Sequence, residues 1–300
     1  MGPMIQVTGI SKRYGATVAL EGVTFSAPSG AVTGFLGPNG AGKTTTLRIL
    51  LGLARPDTGT ALIDGKRYAD LPSPRRMVGA VIDSMGFEPG RSGRNHLRVV
   101  ARAAGIGKAR VDEVLEFVDL TGAADRSAGG YSQGMRQRLA LACALLGDPA
   151  VLLLDEPANG LDPAGMAWLR RLLSDWAAEG RTVLFSSHVL TEVEFVADRI
   201  VIIDHGRVVR EGAAQNLYGS ERAVVVRTSD GVSLERLAAA EGWEVRRDGS
   251  DRLVIRGATS AVVGSAVAKA GIALSELSSE VSARQLEELF LDLTMTEHQA

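Results

Sequence analysis

The chain has 300 residues, 45% of them hydrophobic and 23% charged, with a formal net charge of −2. That is a globular composition with room for one large domain and a small one, and its near-balanced charge gives no reason to expect a nucleic-acid partner. One cysteine, Cys143, excludes a disulfide framework and favours a reducing, cytoplasmic setting; no apolar run reaches the roughly 18–20 residues of a membrane span, and the N-terminus lacks the basic-then-apolar order of a secretory signal.

The first predicted elements are short strands at residues 5–7, 18–25 and 31–36, separated by turns that contain Gly or Pro. The third strand runs into Gly37-Pro38-Asn39-Gly40-Ala41-Gly42-Lys43-Thr44-Thr45, and a helical segment over 44–51 leaves it. This fits G-x-x-x-x-G-K-[ST] in the strand–loop–helix context the motif requires. Its glycines let the backbone curl around phosphate with N–H groups pointing inward, and the helix offers its positive end to the same anion. Lys43 is placed to reach the β- and γ-phosphates of a nucleotide, and the Thr44 hydroxyl to ligate Mg²⁺.

A turn at 55–59 leads to predicted strands at 60–64 and 78–82. From 92 to 147 the periodicity is helical: Leu97, Val100, Ala101 and Ala104 share one face, as do Val111, Val114, Leu115 and Val118. Cys143, among Leu139, Ala140, Leu141, Ala142 and Ala144, reads as a buried small hydrophobe. Val151–Leu154 is unbroken apolar sequence, as expected of a strand buried on both faces. Strands at 183–185 and 200–203 follow, with helices at 166–178 and 190–196; Trp168 and Trp176, on the first of these helices, are expected in the core. Strand alternating with helix predicts an α/β fold with a helical insertion at about 85–148. Near 220 the pattern restarts: strand 223–226, helix 234–240, a hairpin of 243–247 and 253–255, helix 261–270, strand 273–277 and helix 283–293. That order resembles a small ferredoxin-like α+β module, so domains are expected at 1–219 and 220–300.

Further motifs surround the phosphate loop in sequence. Val151–Leu154 ends in Asp155-Glu156-Pro157: a carboxylate at a strand tip can hold Mg²⁺ through water, and the next can orient or deprotonate an attacking water. Asn159-Gly160-Leu161-Asp162-Pro163 turns into the following helix, Tyr131-Ser132-Gln133-Gly134-Met135-Arg136-Gln137-Arg138 opens a helix with Ser132 as its cap, and Phe185-Ser186-Ser187-His188 puts a histidine at a strand tip.

Taken in order, these motifs resemble the ATP-binding cassette ATPases, the motor subunits of ABC transporters, over about residues 4–217. The resemblance implies that 37–44 is the Walker A loop, that Ser132 and Gly134 lie in the signature motif, and that Asp155 and Glu156 are the Walker B aspartate and the catalytic glutamate. It makes 159–162 the D-loop and His188 the switch histidine. Tyr14, in Ser11-Lys12-Arg13-Tyr14-Gly15, matches the aromatic that stacks on adenine, and Val18 joins the nucleotide-binding set with Gly37, Pro38, Asn39, Gly40, Ala41, Gly42, Lys43, Thr44 and Thr45.

The same resemblance implies ATP with Mg²⁺, a head-to-tail cassette dimer, and an integral-membrane permease on a separate chain. The protein is then a peripheral one at the cytoplasmic face of the membrane, and its arginine-, alanine- and glycine-rich composition suggests a GC-rich bacterial genome. Two departures stand out. The usual signature Leu-Ser-Gly-Gly-Gln has Tyr131, Gln133 and Met135 at its first, third and fifth positions, and Asp83 stands where a glutamine normally follows the strand. Asp83 could still ligate Mg²⁺ or water, and it joins Glu156 and His188 as a catalytic candidate. With 156–163 reading Glu-Pro-Ala-Asn-Gly-Leu-Asp-Pro, the chain is similar to the bacitracin- and lantibiotic-type export subgroup. The permease's coupling helix is expected between Met85, Phe87 and the stretch Arg94 to Leu97. Two other readings stay open at this point: a soluble cassette ATPase outside transport, and a non-hydrolysing, ATP-gated module.

Overall fold

The computed structural model describes residues 3–82, 87–217, 223–249 and 251–280. The chain divides into two compact units, Met1–Gly212 and Ala213–Ala300. In chain order the first contains β1 (Pro3–Tyr14), β2 (Thr17–Pro28), β3 (Val32–Leu36), α1 (Lys43–Leu50), β4 (Thr58–Ile63), α2 (Pro74–Met77), β5 (Val78–Val81), α3 (Gly93–Ala103), α4 (Lys108–Phe117) and α5 (Gln133–Leu145). It continues with β6 (Val151–Leu154), α6 (Pro163–Ala178), β7 (Thr182–Ser187), α7 (Leu190–Glu194), β8 (Arg199–Asp204) and β9 (Arg207–Ala213).

A three-stranded antiparallel sheet runs β2-β1-β4. Ile5, Val7 and Ile10 of β1 and Leu20, Val23, Phe25 and Ala27 of β2 are buried on one core. The β1 strand is much longer than the expected 5–7, because ladder pairing with β2 continues through several register shifts as far as Tyr14 and Thr17. Backbone pairing, which leaves no apolar signature, sets that length.

The second sheet runs β5-β6-β7-β3-β8-β9, and the five strands from β5 to β8 pair in parallel. Parallel strands end at one edge, so the loops after β3, β6 and β7 open on the same crevice. The β7 strand lies between the other two, with Leu36 opposite Ser187 and Leu154 opposite Phe185. All three strands are buried along their whole length, which explains the unbroken apolar run of β6 and the mostly apolar sequences of β3 and β7. The β9 strand was not expected: it is a largely exposed edge strand, rich in charge, with no apolar pattern to betray it.

Helices α3, α4 and α5 form the insertion between β5 and β6, and α5 packs on β5. Side-chain caps fix three helix starts: Ser92 on α3, Ser132 on α5 and Asp162 on α6 accept the backbone N–H three residues on, at 3.3, 3.2 and 2.7 Å. Burial pushes the Cys143 thiol up to about 12, consistent with an inert residue. Trp176 is in the core at 8% exposure, but Trp168 is only half-buried, 6.3 Å from the Phe117 ring and 5.3 Å beneath the Arg138 guanidinium. Eight residues turn a helix about 80° past two full turns, so the two indoles cannot share a face.

The second unit contains α8 (Ala214–Leu217), β10 (Ala223–Arg227), α9 (Gly231–Glu241), β11 (Glu244–Arg247), β12 (Arg252–Arg256), α10 (Ser260–Lys269) and β13 (Glu276–Glu280). Its antiparallel sheet runs β11-β12-β10-β13 over a separate core of Val224, Val226, Leu234, Leu253, Ile255, Val263 and Val267. The last strand starts three residues later than expected. Leu274, inside the expected strand, packs on that core from the loop before it, as does Ile272. The helix expected at 283–293 lies outside the described residues.

Candidate nucleotide site

The β3 strand delivers the chain into the glycine-rich loop, whose tip, Asn39 and Gly40, is exposed beside half-buried Pro38. A Cβ at Gly37 would overlap the Ile203 carbonyl, and one at Gly42, where φ is +106°, would overlap Leu20 and the Ala19 carbonyl. The Gly206 N–H donates to the Ala41 carbonyl at 3.1 Å and the Glu21 N–H to the Gly206 carbonyl at 2.8 Å. The loop therefore lies directly on the backbones of β2 and the β8–β9 turn. Gly42 precedes α1, and no side chain caps that helix. The first-turn N–H groups of Lys43, Thr44 and Thr45 are thus presented to an outside acceptor. An uncapped helix start and a lysine at its first position fit a polyphosphate.

Lys43 is 5% exposed; its ammonium donates to the carbonyls of Gly37 at 2.6 Å and Pro38 at 3.1 Å and lies 3.3 Å from Glu156 Oε1. The Thr44 hydroxyl donates to Asp155 Oδ2 at 2.6 Å. Buried Ser186 donates to Asp155 Oδ1 and accepts the Glu156 N–H at 3.0 Å. Glu156 has φ +47°, a left-handed conformation uncommon outside glycine and found at functional sites. Its Oε2 is 2.7 Å from His188 Nδ1. Lys43, Thr44, Asp155, Glu156 and His188 are therefore brought together at the sheet edge, where a carboxylate, a histidine and two oxygen ligands could serve phosphoryl transfer to water. Asp83 lies outside the described residues.

Tyr14 is 49% exposed at the end of β1, and Val18 is exposed on β2 opposite Arg13. Lys12 Nζ lies 5.4 Å from the Tyr14 ring centroid and 3.0 Å from Asp57 Oδ1, while the Arg13 N–H donates to Asp57 Oδ2 at 2.7 Å. Those two bonds hold the Asp57 carboxyl below the ordinary aspartate value, the Lys12 bond first.

The altered signature is accommodated by packing. Tyr131 is buried, its hydroxyl donates to the Ala123 carbonyl at 2.7 Å, and a Cβ at Gly93 would overlap that hydroxyl. The Gln133 side chain covers Gly160, and a Cβ on Gly134 would come within 3.2 Å of the Gly160 carbonyl. Gln137 Nε2 donates to the Pro157 carbonyl at 3.0 Å. The start of α5 is thus seated on residues 157–160 of its own chain.

Of the stretch expected to meet the permease's coupling helix, Arg94 to Leu97, Asn95 is exposed and Leu97 is not. Leu97 is fully buried on the inner face of α3 with Gly93 and Ala101, and Arg94 is held by Asp112 and, at 2.9 Å, by Asp125. Phe87 stacks edge-on against His96 at 4.9 Å, and Met85 lies outside the described residues. Sequence reasoning also missed Ser186, Gln137, Lys12 and Asp57. For Ser186 there was a signal, a pair of serines closing an otherwise apolar buried strand; for the rest, only folding reveals the partner.

The family described as ABC transporter matches residues 20–159, and residues 222–283 match a domain of unknown function (DUF8746). Over 225 residues the chain is 41% identical to the Nod factor export ATP-binding protein I of Burkholderia orbicola (strain AU 1054), covering 72% of this chain and 73% of that one. Over 261 residues it is 37% identical to the bacitracin transport ATP-binding protein BcrA of Bacillus licheniformis, covering 84% and 85%. The dimeric structure of MJ0796, a bacterial ABC transporter cassette, matches with a TM-score of 0.65 at 26% identity, over 70% of this chain and 99% of that one. The chain belongs to the ABC transporter family, as an ATP-binding, ATP-hydrolysing subunit. Among the described residues, no helix is long and apolar enough to cross a membrane.

Proposed function

We propose that this chain powers export through a permease carried on a separate polypeptide, working as a peripheral protein at the cytoplasmic face of a bacterial membrane. Residues 1–219 act as the cassette and 220–300 as an accessory module. The observation that carries the reading is the placement of Glu156 between Lys43 and His188, 3.3 and 2.7 Å away. The export names of the relatives at 41% and 37% identity support its direction.

Lys43 and the first-turn N–H groups of α1 bind the phosphates, and Tyr14 with Val18 receives the adenine. Thr44 and Asp155, whose oxygens already converge, fit a hard cation; Asp83 is a third oxygen ligand in sequence range. Bound there, Mg²⁺ supplies charge neutralisation at the β- and γ-phosphates. Glu156 takes the proton of the attacking water, and His188 orients that carboxylate and the transferred phosphoryl group. Ser132 and Gly134 of a second cassette close the site, as expected of a head-to-tail dimer.

The test is capture of tagged Glu156→Gln protein from its host's membranes with ATP and Mg²⁺, alongside steady-state ATPase of both forms. A stoichiometric multi-span protein with Glu156-dependent turnover is expected. Recovery with ribosomes or DNA-bound factors instead would move the chain to the soluble cassette ATPases.

A further inference from the structure

The β7 strand ends in two serines, and successive side chains of a strand point to opposite faces of its sheet. Ser186 supports Asp155 and Glu156. Ser187, fully buried, meets α7 instead. Its hydroxyl donates to Glu192 Oε2 at 2.5 Å and accepts the Val189 N–H at 2.9 Å. Its carbonyl accepts the N–H of Gly37, the first residue of the phosphate loop, at 3.2 Å. The backbone on both sides of His188 is thus tied to one serine, and that serine's hydroxyl is tied to Glu192.

Glu192 is in turn set by the sheet. A Cβ at Gly34, on β3, would overlap the Val193 side chain, so α7 lies directly on the strand that feeds the phosphate loop. Val193 is fully buried there, and Asp198, just beyond α7, accepts the Val32 N–H at 2.8 Å. A hydroxyl donating to a carboxylate makes one of the stronger hydrogen bonds, and a buried serine has no water to replace it. The His188 imidazole, 38% exposed, meets Glu156 through Nδ1 at 2.7 Å. A ring with that much open space around it keeps its place only if the backbone carrying it is fixed.

We propose that Ser187 and Glu192 are positioning residues for ATP hydrolysis: they lock the turn that carries His188, so that its imidazole stays on Glu156 and in reach of the transferred phosphoryl group. The proposal deepens the reading of His188 given above and rests on it. The bond from Gly37 sets the phosphate loop and the histidine turn on the same residue, which fixes the spacing between imidazole and γ-phosphate. A misplacement of about 1 Å at a reacting centre can cost about 10² in rate. Glu192 bonds the serine and not the imidazole, so its effect on chemistry passes through His188.

The experiment is a double-mutant cycle on steady-state ATPase of the full chain, with turnover expressed per ATP-binding site and the Kd for ATP measured by nucleotide titration. Glu192→Ala in the otherwise native protein is expected to lower kcat about tenfold or more, with the Kd for ATP changed less than about twofold. Glu192→Gln, whose amide oxygen still accepts the Ser187 hydroxyl, is expected to recover most of that loss. In a His188→Ala background the same Glu192→Ala change is expected to cost less than about a further twofold, because the group it positions is gone. An equal loss in both backgrounds would assign Glu192 to general stability and overturn the proposal, as would an unchanged kcat in the native background. If His188→Ala alone leaves turnover intact, the reading of His188 fails and this proposal with it. Should Glu192→Ala melt early, Ser187→Ala breaks the same bond from its other end and takes its place, with the same outcomes.

Discussion

Ser186 holds Asp155 and Glu156 in one frame: its hydroxyl donates to the Asp155 carboxylate and accepts the Glu156 N–H at 3.0 Å. One hydroxyl thus fixes the side chain of the first acid and the left-handed backbone of the second. Ser186→Ala would leave the buried N–H without that acceptor, a loss of about 1–3 kcal/mol. A lower melting temperature together with slower ATP turnover is expected. Thermal unfolding followed with and without ATP checks the first and a turnover assay the second; a variant with unchanged turnover would remove Ser186 from the site.

Glu156→Gln keeps the shape of the side chain and removes the proton acceptor. Phosphate release should fall by a factor of about 10² to 10⁴ while ATP binding persists. A coupled phosphate assay and a nucleotide-binding titration read the two effects separately. Retained turnover would show that another group accepts the proton.

Lys12 and Asp57 brace the strand end that presents Tyr14. Lys12→Ala should raise KM for ATP several-fold with kcat little changed. Asp57 has its folded value below the ordinary 3.8, so its contribution is fully present above pH 3.8 and is lost as pH falls through the lower folded value. The acid limb of the stability curve should therefore move to higher pH in Lys12→Ala, which a pH series of melting temperatures would show.

Tyr131 and Gly93 form a steric pair. Gly93→Ala should destabilise by about 1–3 kcal/mol, since the new Cβ meets the Tyr131 hydroxyl. Tyr131→Phe removes that hydroxyl, at a cost of about 1 kcal/mol for its bond to Ala123. The double variant should then be more stable than the sum of the two losses. Additive urea midpoints would mean the backbone of α3 gives way instead.

The nucleotide site was legible because its parts are local. Gly37 to Thr45 and Asp155-Glu156 follow strands whose apolar runs are unmistakable, and a parallel sheet brings strand ends together without help from distant side chains. What escaped was set by tertiary pairing. The β9 strand has an exposed, charged edge, the length of β1 follows its ladder with β2, and β13 starts after the apolar residues that announced it. Within the insertion, helix phase was legible: Leu97 and Ala101, expected on one apolar face, are both buried on the inner side of α3.

The phosphate loop at residues 37–45 rests on Ile203 and on the Gly206 N–H, more than 150 positions further along the chain. During synthesis the motif itself is complete once Thr45 has been made and its β2 support precedes it, yet the other side of its supporting wall does not exist until the β8–β9 turn has emerged from the ribosome. Shaping of the loop is thereby postponed to the end of the first unit. A nascent chain should gain the full ability to hold nucleotide late, and a message cut short before residue 206 would yield a polypeptide bearing every motif of the phosphate loop and only the β2 side of its support.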